Sequence, residues 1–456
     1  VYECDGLSAY RQAPLAVALP TSAQQVADVV CACGQLDIPI VPWGAGTGLS
    51  GGALPRGDGI VLSLARMNRI LSIDVDDRCV TVEPGVTNVS VTHAVASHGF
   101  YYAPDPSSQI ACTIGGNIAE NSGGVHCLKY GTTTNNLLGV QIVLPDGDLV
   151  DIGSGAMERA GYDLLALFTG SEGLLGIITR ATLRILPKPE SARALMAAFD
   201  SVAAAGAAVA DIIGAGIVPA GMEIMDRLSI EAVEEFLGCG YPVGVESLLL
   251  VEVDGPASEV DAQIAAVEAL VRAAGSAEIR HADSPQERQL LWAGRKAAFP
   301  AMGRLSPDYY CMDGTIPRGR LPEVLNRVSS LSAAYGLRVA NVFHAGDGNL
   351  HPLVLYDSNV PGELERAEEL GGEILKLCVE VGGVLSGEHG IGIEKRDLMP
   401  CQLSDDDLDL QEELKRAFDP GLLLNPGKVY PTLRTCAEGR MHVQGGHLPF
   451  PELDRF

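Results

Sequence analysis

Apolar and polar positions follow short, strand-like runs over roughly the first 190 residues. The pattern predicts strands at residues 59–64, 70–74, 79–83, 138–144 and 176–186. A helix is expected near the start, where Thr21 and Gln24 have capping-box spacing ahead of an apolar stripe of Val26, Val29 and Val30. The segment Pro187-Lys188-Pro189 indicates a domain boundary.

Beyond residue 191 the pattern changes to longer strand and helix units. Strands are expected at 193–199 and 248–253, and helices at 201–213 and 363–380. A helix starting at Ser258 carries its apolar residues on one face, namely Val260, Ile264, Val267 and Val271. This order predicts an α+β fold in which helices cover a mainly antiparallel sheet. We expect three segments, at 1–190, 191–415 and 416–456, the last returning to the first domain.

Composition narrows the classes of function. Lys and Arg number 32 against 58 Asp and Glu, a net charge of −26, which disfavours nucleic acid and anionic lipid as partners. The eleven cysteines form no C-x-x-C pair, so neither a zinc ribbon nor a disulfide framework is predicted and a reducing cytoplasm is expected. No apolar run approaches the roughly twenty residues of a membrane span.

Glycine is unusually frequent: 53 of 456 residues are glycine, whereas its usual share is about 7%. Two stretches of the chain are especially rich in it. Residues 46–51 match G-x-G-x-x-G, but Gly52, Pro55 and Gly57 follow, so the helix that a nicotinamide site needs is not expected. Exposed backbone amides can still form an anion nest around phosphates. The stretch 113–124 offers a similar surface. Ordinary tight turns are the alternative interpretation of either stretch.

These stretches resemble the FAD-binding domain of the vanillyl-alcohol-oxidase (PCMH-type) superfamily. The resemblance implies that FAD is bound, and noncovalently, because no histidine stands between Pro42 and Gly52 to tether it. The residues that the resemblance assigns to FAD lie in five stretches of the chain and are Pro42, Gly44, Ala45, Gly46, Thr47, Gly48, Leu49, Pro104, Asp105, Ser107, Thr113, Gly115, Gly116, Asn117, Asn121, Gly123, Gly124, Glu172, Gly173, Gly176, Ile177 and Asn425.

A second group of residues has the chemistry of a metal site. His344 and His351 flank the turn residues Gly-Asp-Gly-Asn between two β-like segments, so they are expected at the mouth of a hairpin. Glu388 and His389 stand side by side between glycines. Two imidazoles and one carboxylate leave open coordination positions, as catalytic metals require. We expect His344, His351 and Glu388 to bind a divalent ion, zinc first, with manganese or iron as alternatives.

Other interpretations of this group stay open. The two histidines could be turn residues satisfied by backbone hydrogen bonds. A metal hydrolase would also use such ligands, because zinc activates water, although hydrolysis has no use for a flavin. A third possibility is a flavin-binding subunit whose partner oxidises the substrate.

Together the motifs resemble the FAD-dependent D-2-hydroxyacid dehydrogenases over essentially the whole chain. The stretches 292–296, 309–317 and 442–456 most resemble the glycolate-oxidising members. The resemblance implies a small 2-hydroxy acid substrate, His389 as the base that accepts the hydroxyl proton, and Arg295 as the partner of its carboxylate. It also implies a second flavoprotein-like subunit and an iron–sulfur subunit as partners, with any membrane association, at the inner face of the cytoplasmic membrane, made through them.

Two positions bear on the size of the substrate. Members that oxidise 2-hydroxyglutarate use a lysine and an asparagine where this chain has Cys311 and Leu353. A second, distal carboxylate would therefore lack its partners. Glycolate or D-lactate is the expected substrate.

Overall fold

The computed structural model describes residues 1–154 and 161–431, together with the backbone of 454–455. The stretch 442–456 otherwise lies outside the described residues. The chain divides into two compact units. The first unit comprises residues 1–123, 131–188 and 388–456, and the second comprises 124–130 and 189–387.

The strands, numbered in chain order, are β1 Tyr10–Arg11, β2 Ala16–Ala18, β3 Ile40–Trp43, β4 Ile60–Ser63, β5 Ile70–Asp74, β6 Cys79–Val82, β7 Phe100–Tyr101, β8 Leu137–Val143, β9 Leu149–Gly153, β10 Ile177–Arg184, β11 Leu186–Pro187, β12 Ser191–Phe199, β13 Gly221–Asp226, β14 Ser247–Gly255, β15 Glu278–His281, β16 Asp308–Cys311, β17 Val339–His344, β18 Asn349–Tyr356 and β19 Asp454–Arg455. The α-helices are α1 Ala23–Leu36, α2 Asn88–Val95, α3 Ile114–Glu120, α4 Cys127–Tyr130, α5 Leu164–Phe168, α6 Val202–Gly214, α7 Arg227–Leu237, α8 Ala257–Ala273, α9 Pro285–Lys296, α10 Ala298–Ala301, α11 Leu321–Tyr335, α12 Glu363–Glu380, α13 Met399–Gln402 and α14 Asp405–Phe418. Within these described residues, no helix combines the length and apolarity needed to cross a bilayer.

The first unit is built on a parallel sheet in the order β2-β4-β3 and an antiparallel sheet in the order β5-β6-β10-β8-β9. Their common core includes Val26 and Val30 of α1, Ile40 of β3 and Ile177 of β10. The C-terminal segment joins this core, because Leu424 forms a parallel bridge with Ile40. The mixture of helices and mainly antiparallel strands confirms the expected α+β class.

Two details of the first unit differ from the sequence prediction. Helix α1 is capped by Ser22, whose side chain accepts from the amide of Gln25, rather than by Thr21. Thr21 instead donates to the Gln25 side chain. The glycine-rich stretch 113–124 contains the short helix α3, which ends at Asn121 in the left-handed conformation. Two successive glycines do not prevent this turn because tertiary packing overrides propensity.

The second unit contains a seven-stranded sheet in the order β15-β12-β14-β13-β17-β18-β16, and every pairing in it is antiparallel. Strand β14 is buried along almost its whole length, as expected of a strand inside a sheet with packed faces. Helix α8 packs on β12 and β14. It does so through Val260, Ile264, Val267 and Val271, the apolar stripe that the sequence predicted.

The chain passes from the second unit to the first between Gly387 and Glu388, earlier than the expected return at residue 416. Asp313 holds Ser386 and Gly387 to the second unit by hydrogen bonds. Its carboxylate accepts from the Ser386 hydroxyl at 2.6 Å and from the Gly387 amide at 3.1 Å. A Cβ at Gly387 would lie 2.5 Å from Thr315 Oγ1 and 2.6 Å from Asn349, so this close approach requires glycine.

Two charged residues, Lys428 and Asp5, are buried in the first unit, each with 5% exposure. Burial lowers the pKa of Lys428 to about 7 and raises that of Asp5 to about 6. The Lys428 ammonium donates to the carbonyl of Leu54 and to the side chain of Asn425. The pKa of Lys428 is lower in the folded than in the unfolded chain, so between pH 7 and 10 the unfolded chain binds more protons and stability rises with pH.

Replacing Lys428 by Met removes this titration. We expect the stability of the wild type, relative to the Lys428→Met variant, to increase as the pH rises from 7 to 9. The urea midpoint, measured for both proteins at each pH, tests this. The variant Lys376→Met, at an exposed lysine, should show no such trend. A difference that is independent of pH would contradict a depressed pKa at Lys428.

Candidate active site

The residues that the sequence assigned to FAD gather in the first unit, with the exception of Gly124, which belongs to the second. Pro42 lies on β3 and the residues 44–49 form the loop that follows it. Between residues 44 and 59 no helix is present. The sequence predicts this, because glycines and a proline follow the G-x-G-x-x-G match. Thr113 begins α3, and Ile177 begins β10.

The two glycine-rich stretches meet at Gly44. A Cβ on Gly44 would lie 2.7 Å from Thr113 Oγ1 and 3.6 Å from the Cα of Gly116. Thr113 Oγ1 is buried and has no hydrogen-bond partner among the described residues. A buried hydroxyl without a partner is costly, and a phosphate oxygen is a partner that it can reach in such a backbone cradle. These residues therefore fit the pyrophosphate of a dinucleotide.

Asn88, which sequence reasoning missed, ties two of the predicted FAD segments together. Its side-chain amide donates to the carbonyl of Pro104 and to Oδ1 of Asn117, both at 3.1 Å. Asn425 plays the same part at the C-terminal end. Its amide donates to the carbonyls of Gly52 and Glu172. A polar residue in mid-chain carries no signal that would reveal such a contact in advance.

Glu172 positions the loop that follows His389. Its buried carboxylate accepts from the amides of Ile391 and Gly392 at 2.6 and 2.7 Å. Burial raises its pKa, although these hydrogen bonds oppose that shift. Gly390 has φ +84° and a Cβ there would overlap the carboxylates of Glu120 and Glu172. The contacts of the Glu172 carboxylate are thus with the loop, and its assignment to FAD stays a prediction.

In the second unit, strand register brings the two predicted metal ligands together. Val342 pairs with His351 and His344 pairs with Asn349. Since side chains alternate along a strand, His344 and His351 are diagonal neighbours on the same face of the sheet. Their ring centroids are 4.9 Å apart, with the rings nearly perpendicular. Both are buried, at 4% and 2% exposure.

The Nδ1 atoms of both histidines face acceptors. His344 Nδ1 lies 2.7 Å from Glu223 Oε1, and His351 Nδ1 lies 3.4 Å from the carbonyl of Met312. An acceptor at Nδ1 assigns the ring proton to that atom and leaves the coordinating lone pair on Nε2. The ligand atoms of Asp313 and His351 lie within 4.8 Å of each other. An imidazole and a carboxylate are donors that suit a divalent cation. Among the described residues, His344 is not a member of the group whose ligand atoms lie within this distance.

Arg295 of α9 is almost completely buried, at 1% exposure, on this same face. Its Nε lies 2.7 Å and its Nη2 2.6 Å from Glu223 Oε2. Among the described residues neither Nη1 nor Nη2 has a hydrogen-bond partner, so the Nη2 contact with Glu223 is an ion pair only. The Nη1–Nη2 edge is therefore the edge of the guanidinium that can receive the carboxylate of a ligand.

Glu388 and His389 are the remaining predicted site residues. Both belong to the first unit. They come directly after Gly387, and the Gly387 amide donates to Asp313. Asp313 and Glu223 were both missed by sequence reasoning. For Asp313 a signal existed, since it stands in the segment 309–317 that carried the family resemblance.

The positions thought to set substrate size are neighbours. Cys311 of β16 pairs directly with Leu353 of β18, and both are buried. Leu353 lies two residues after His351, on its face of the sheet. Phe299 stacks edge-on against His351, with the ring centroids 6.1 Å apart. This wall beside the histidines is apolar and offers no cation for a second carboxylate.

The glycine-rich cradle of the first unit and the histidine–arginine cluster of the second are the features that the sequence assigned to a flavin-dependent oxidoreductase. The chain belongs to the FAD-linked oxidases: residues 188–429 match the family "FAD linked oxidases, C-terminal domain", and residues 14–153 match the "FAD binding domain" family. The expected FAD-binding fold and oxidoreductase class are confirmed. Membership of this family disfavours the metal-hydrolase interpretation.

Known proteins resemble the chain over nearly its whole length. The glycolate oxidase subunit GlcD of Escherichia coli K12 is 58% identical over 456 residues, 100% of this chain and 91% of that protein. The D-lactate dehydrogenase of Anaerostipes hadrus is 34% identical, covering 93% and 91%. The structure of 4-ethylphenol oxidase from Gulosibacter chungangensis matches with a TM-score of 0.79 at 19% identity, covering 94% and 92%, and supports the fold alone.

The unpartnered hydroxyl of Thr113 gives a test of the FAD cradle. Replacing Thr113 by Val keeps the shape and removes the hydroxyl. We expect the dissociation constant for FAD to rise roughly tenfold or more, because hydrogen bonds to charged groups contribute about 1.5–3 kcal/mol. Isothermal titration of the FAD-free protein measures this constant.

A matched variant separates this effect from stability. The hydroxyl of Thr179 is also buried but donates to the carbonyl of Gln141. Thr179→Val should lower the thermal midpoint and leave FAD affinity unchanged, whereas Thr113→Val should not lower the midpoint of the FAD-free protein. Unchanged FAD affinity in Thr113→Val would show that this hydroxyl does not contact the cofactor.

Proposed function

We propose that this chain oxidises a small 2-hydroxy acid, glycolate or D-lactate, to the 2-oxo acid. The observation that carries the proposal is the buried cluster of the second unit, in which Glu223 joins His344 to Arg295 and His351 lies beside them. Such a cluster offers metal ligands and a carboxylate partner within one face of a sheet. The names of the relatives, glycolate oxidase subunit and D-lactate dehydrogenase, support the same substrate class.

We propose that His344, His351 and Glu388 hold a divalent cation, zinc first and manganese or iron as alternatives. The cation would supply Lewis-acid chemistry toward the 2-hydroxyl, and noncovalently held FAD would supply the two-electron acceptor for the hydrogen that leaves C2. The hydrogen bond from the Gly387 amide to Asp313, one residue before Glu388, supports the inclusion of Glu388 in this set.

The chain's own residues account for binding and proton transfer. Arg295 pairs with the substrate carboxylate through its Nη1–Nη2 edge. His389 accepts the proton of the 2-hydroxyl, a role for which imidazole suits neutral pH. The oxidation balances, since one proton leaves oxygen for His389 while C2 loses hydrogen with its electron pair.

The chain is proposed to work with partners. A second flavoprotein-like subunit and an iron–sulfur subunit would receive the electrons. The chain would act in the cytoplasm, or at the inner face of the cytoplasmic membrane through these partner subunits. The word "subunit" in the names of the glycolate oxidase relatives supports this assembly. A flavin-binding subunit without its own substrate site would have no need of the buried Arg295 cluster.

Anaerobic mixing with candidate acids tests the reaction class. We expect glycolate or D-lactate to bleach the absorbance of oxidised flavin. D-2-hydroxyglutarate should bleach it at least tenfold more slowly, because its second carboxylate would meet the Cys311–Leu353 wall. A chelator should slow the bleaching, and zinc should restore it. Flavin that none of these acids reduces, with partner subunits present, would contradict the proposal.

The role of His389 has its own test. His389→Ala should retain FAD, while the rate of flavin reduction falls roughly 100-fold to 10,000-fold, the usual contribution of a general base. Stopped-flow absorbance under anaerobic conditions measures this rate. His93→Ala, at an exposed histidine of the same unit, should react at the wild-type rate. Reduction at the wild-type rate in His389→Ala would assign the base to another residue.

A further inference from the structure

Glu223 stands between the two halves of the proposed substrate site. It lies on β13 with 0% exposure. One carboxylate oxygen accepts from His344 Nδ1 and the other from Arg295 Nε, both at 2.7 Å. We propose that Glu223 is a positioning residue that holds the metal ligand His344 and the carboxylate-binding Arg295 in one geometry, an inference that rests on the function proposed above.

The sheet register produces this arrangement. Glu223 pairs directly with His344 across β13 and β17, so their side chains are neighbours on one face. The contact directs Nε2 of His344 away from Glu223 and fixes the ring tautomer that coordinates metals. Carboxylates in this second position around a metal typically change metal affinity by about 10–100-fold when replaced.

The same carboxylate orients Arg295. Arg295 Nε donates to Glu223 Oε2, and Nη2 lies 2.6 Å from the same oxygen as an ion pair, so this contact sets the guanidinium plane and leaves the Nη1–Nη2 edge for a ligand. Rotation of Arg295 would therefore disturb substrate binding without touching the metal ligands. One residue thus governs two separate measurable quantities, metal affinity and substrate affinity.

Glu223→Gln is a sharp probe because an amide has one acceptor and one donor end. Whichever end faces Arg295 or His344, one of these two donors then meets an NH₂ group. The size of the side chain is unchanged, so packing is retained.

Glu252 provides the matched control. It lies on β14 opposite Gly221, two residues from Glu223 along β13, and so on the same face. It is also buried, and it accepts from Arg288 and Trp292 of the same helix α9. Glu252→Gln therefore removes an equivalent buried carboxylate and leaves His344 and Arg295 with their partner.

The experiment measures Zn²⁺ affinity of the FAD-loaded protein by competition with a chromophoric chelator. We expect Glu223→Gln to weaken Zn²⁺ binding about 10–100-fold, with FAD content unchanged, and Glu252→Gln to retain wild-type affinity. At saturating zinc, Glu223→Gln should also raise KM for glycolate several-fold, while Glu252→Gln should not.

The outcomes separate the two proposals. If the wild type binds no stoichiometric zinc, manganese or iron, the proposed metal site is overturned and this inference with it. If the wild type binds zinc, and Glu223→Gln binds it equally well with an unchanged KM for glycolate, Glu223 is not a positioning residue. Raised KM without weakened zinc binding overturns the His344 half alone. Should Glu223→Gln not fold, Glu223→Asp replaces it, and unchanged zinc affinity together with an unchanged KM there overturns the inference.

Discussion

The alternation of side chains along the antiparallel sheet of the second unit is the constraint on which the candidate site depends. Glu223, His344 and His351 come from three adjacent strands, β13, β17 and β18. They share a face because their registers place Glu223 opposite His344 and His351 opposite Val342. A slip of one residue in any of these strands would turn one member of the cluster to the other face. The register of the sheet therefore determines whether the candidate site forms.

Buried carboxylates with satisfied hydrogen bonds organise both units. Asp313 binds the backbone at Gly387, and Glu172 binds the backbone at Ile391 and Gly392. The short segment between these two anchors carries Glu388 and His389. The backbone on each side of Glu388 and His389 is thus fixed by a buried carboxylate, which limits the motion of two residues on which the proposed chemistry depends. Glycine is needed where the backbone approaches so closely.

Much of the fold was predictable because apolar periodicity reports local burial. The helix 363–380 and the strand 70–74 were expected at the bounds that the structure shows. The buried stripe of α8 was also expected. The cap of α1 was placed one residue early, since Thr21 and Ser22 are both capable caps and only the backbone angles at Ser22 decide between them. The helix α3 was missed because its glycines obscure the helical pattern.

By itself, the sequence determined the kinds of chemistry present: two glycine-rich stretches, a pair of histidines around a turn, and a carboxylate beside an imidazole. These signals are local, and their residue types are rare enough to be noticed. Only the tertiary structure decided which other polar residues form hydrogen bonds with the residues of these motifs. Glu223 lies 121 positions before His344 and 72 before Arg295, in a strand that reads as ordinary core. Its role comes from strand pairing, a long-range property that no local pattern of residues encodes.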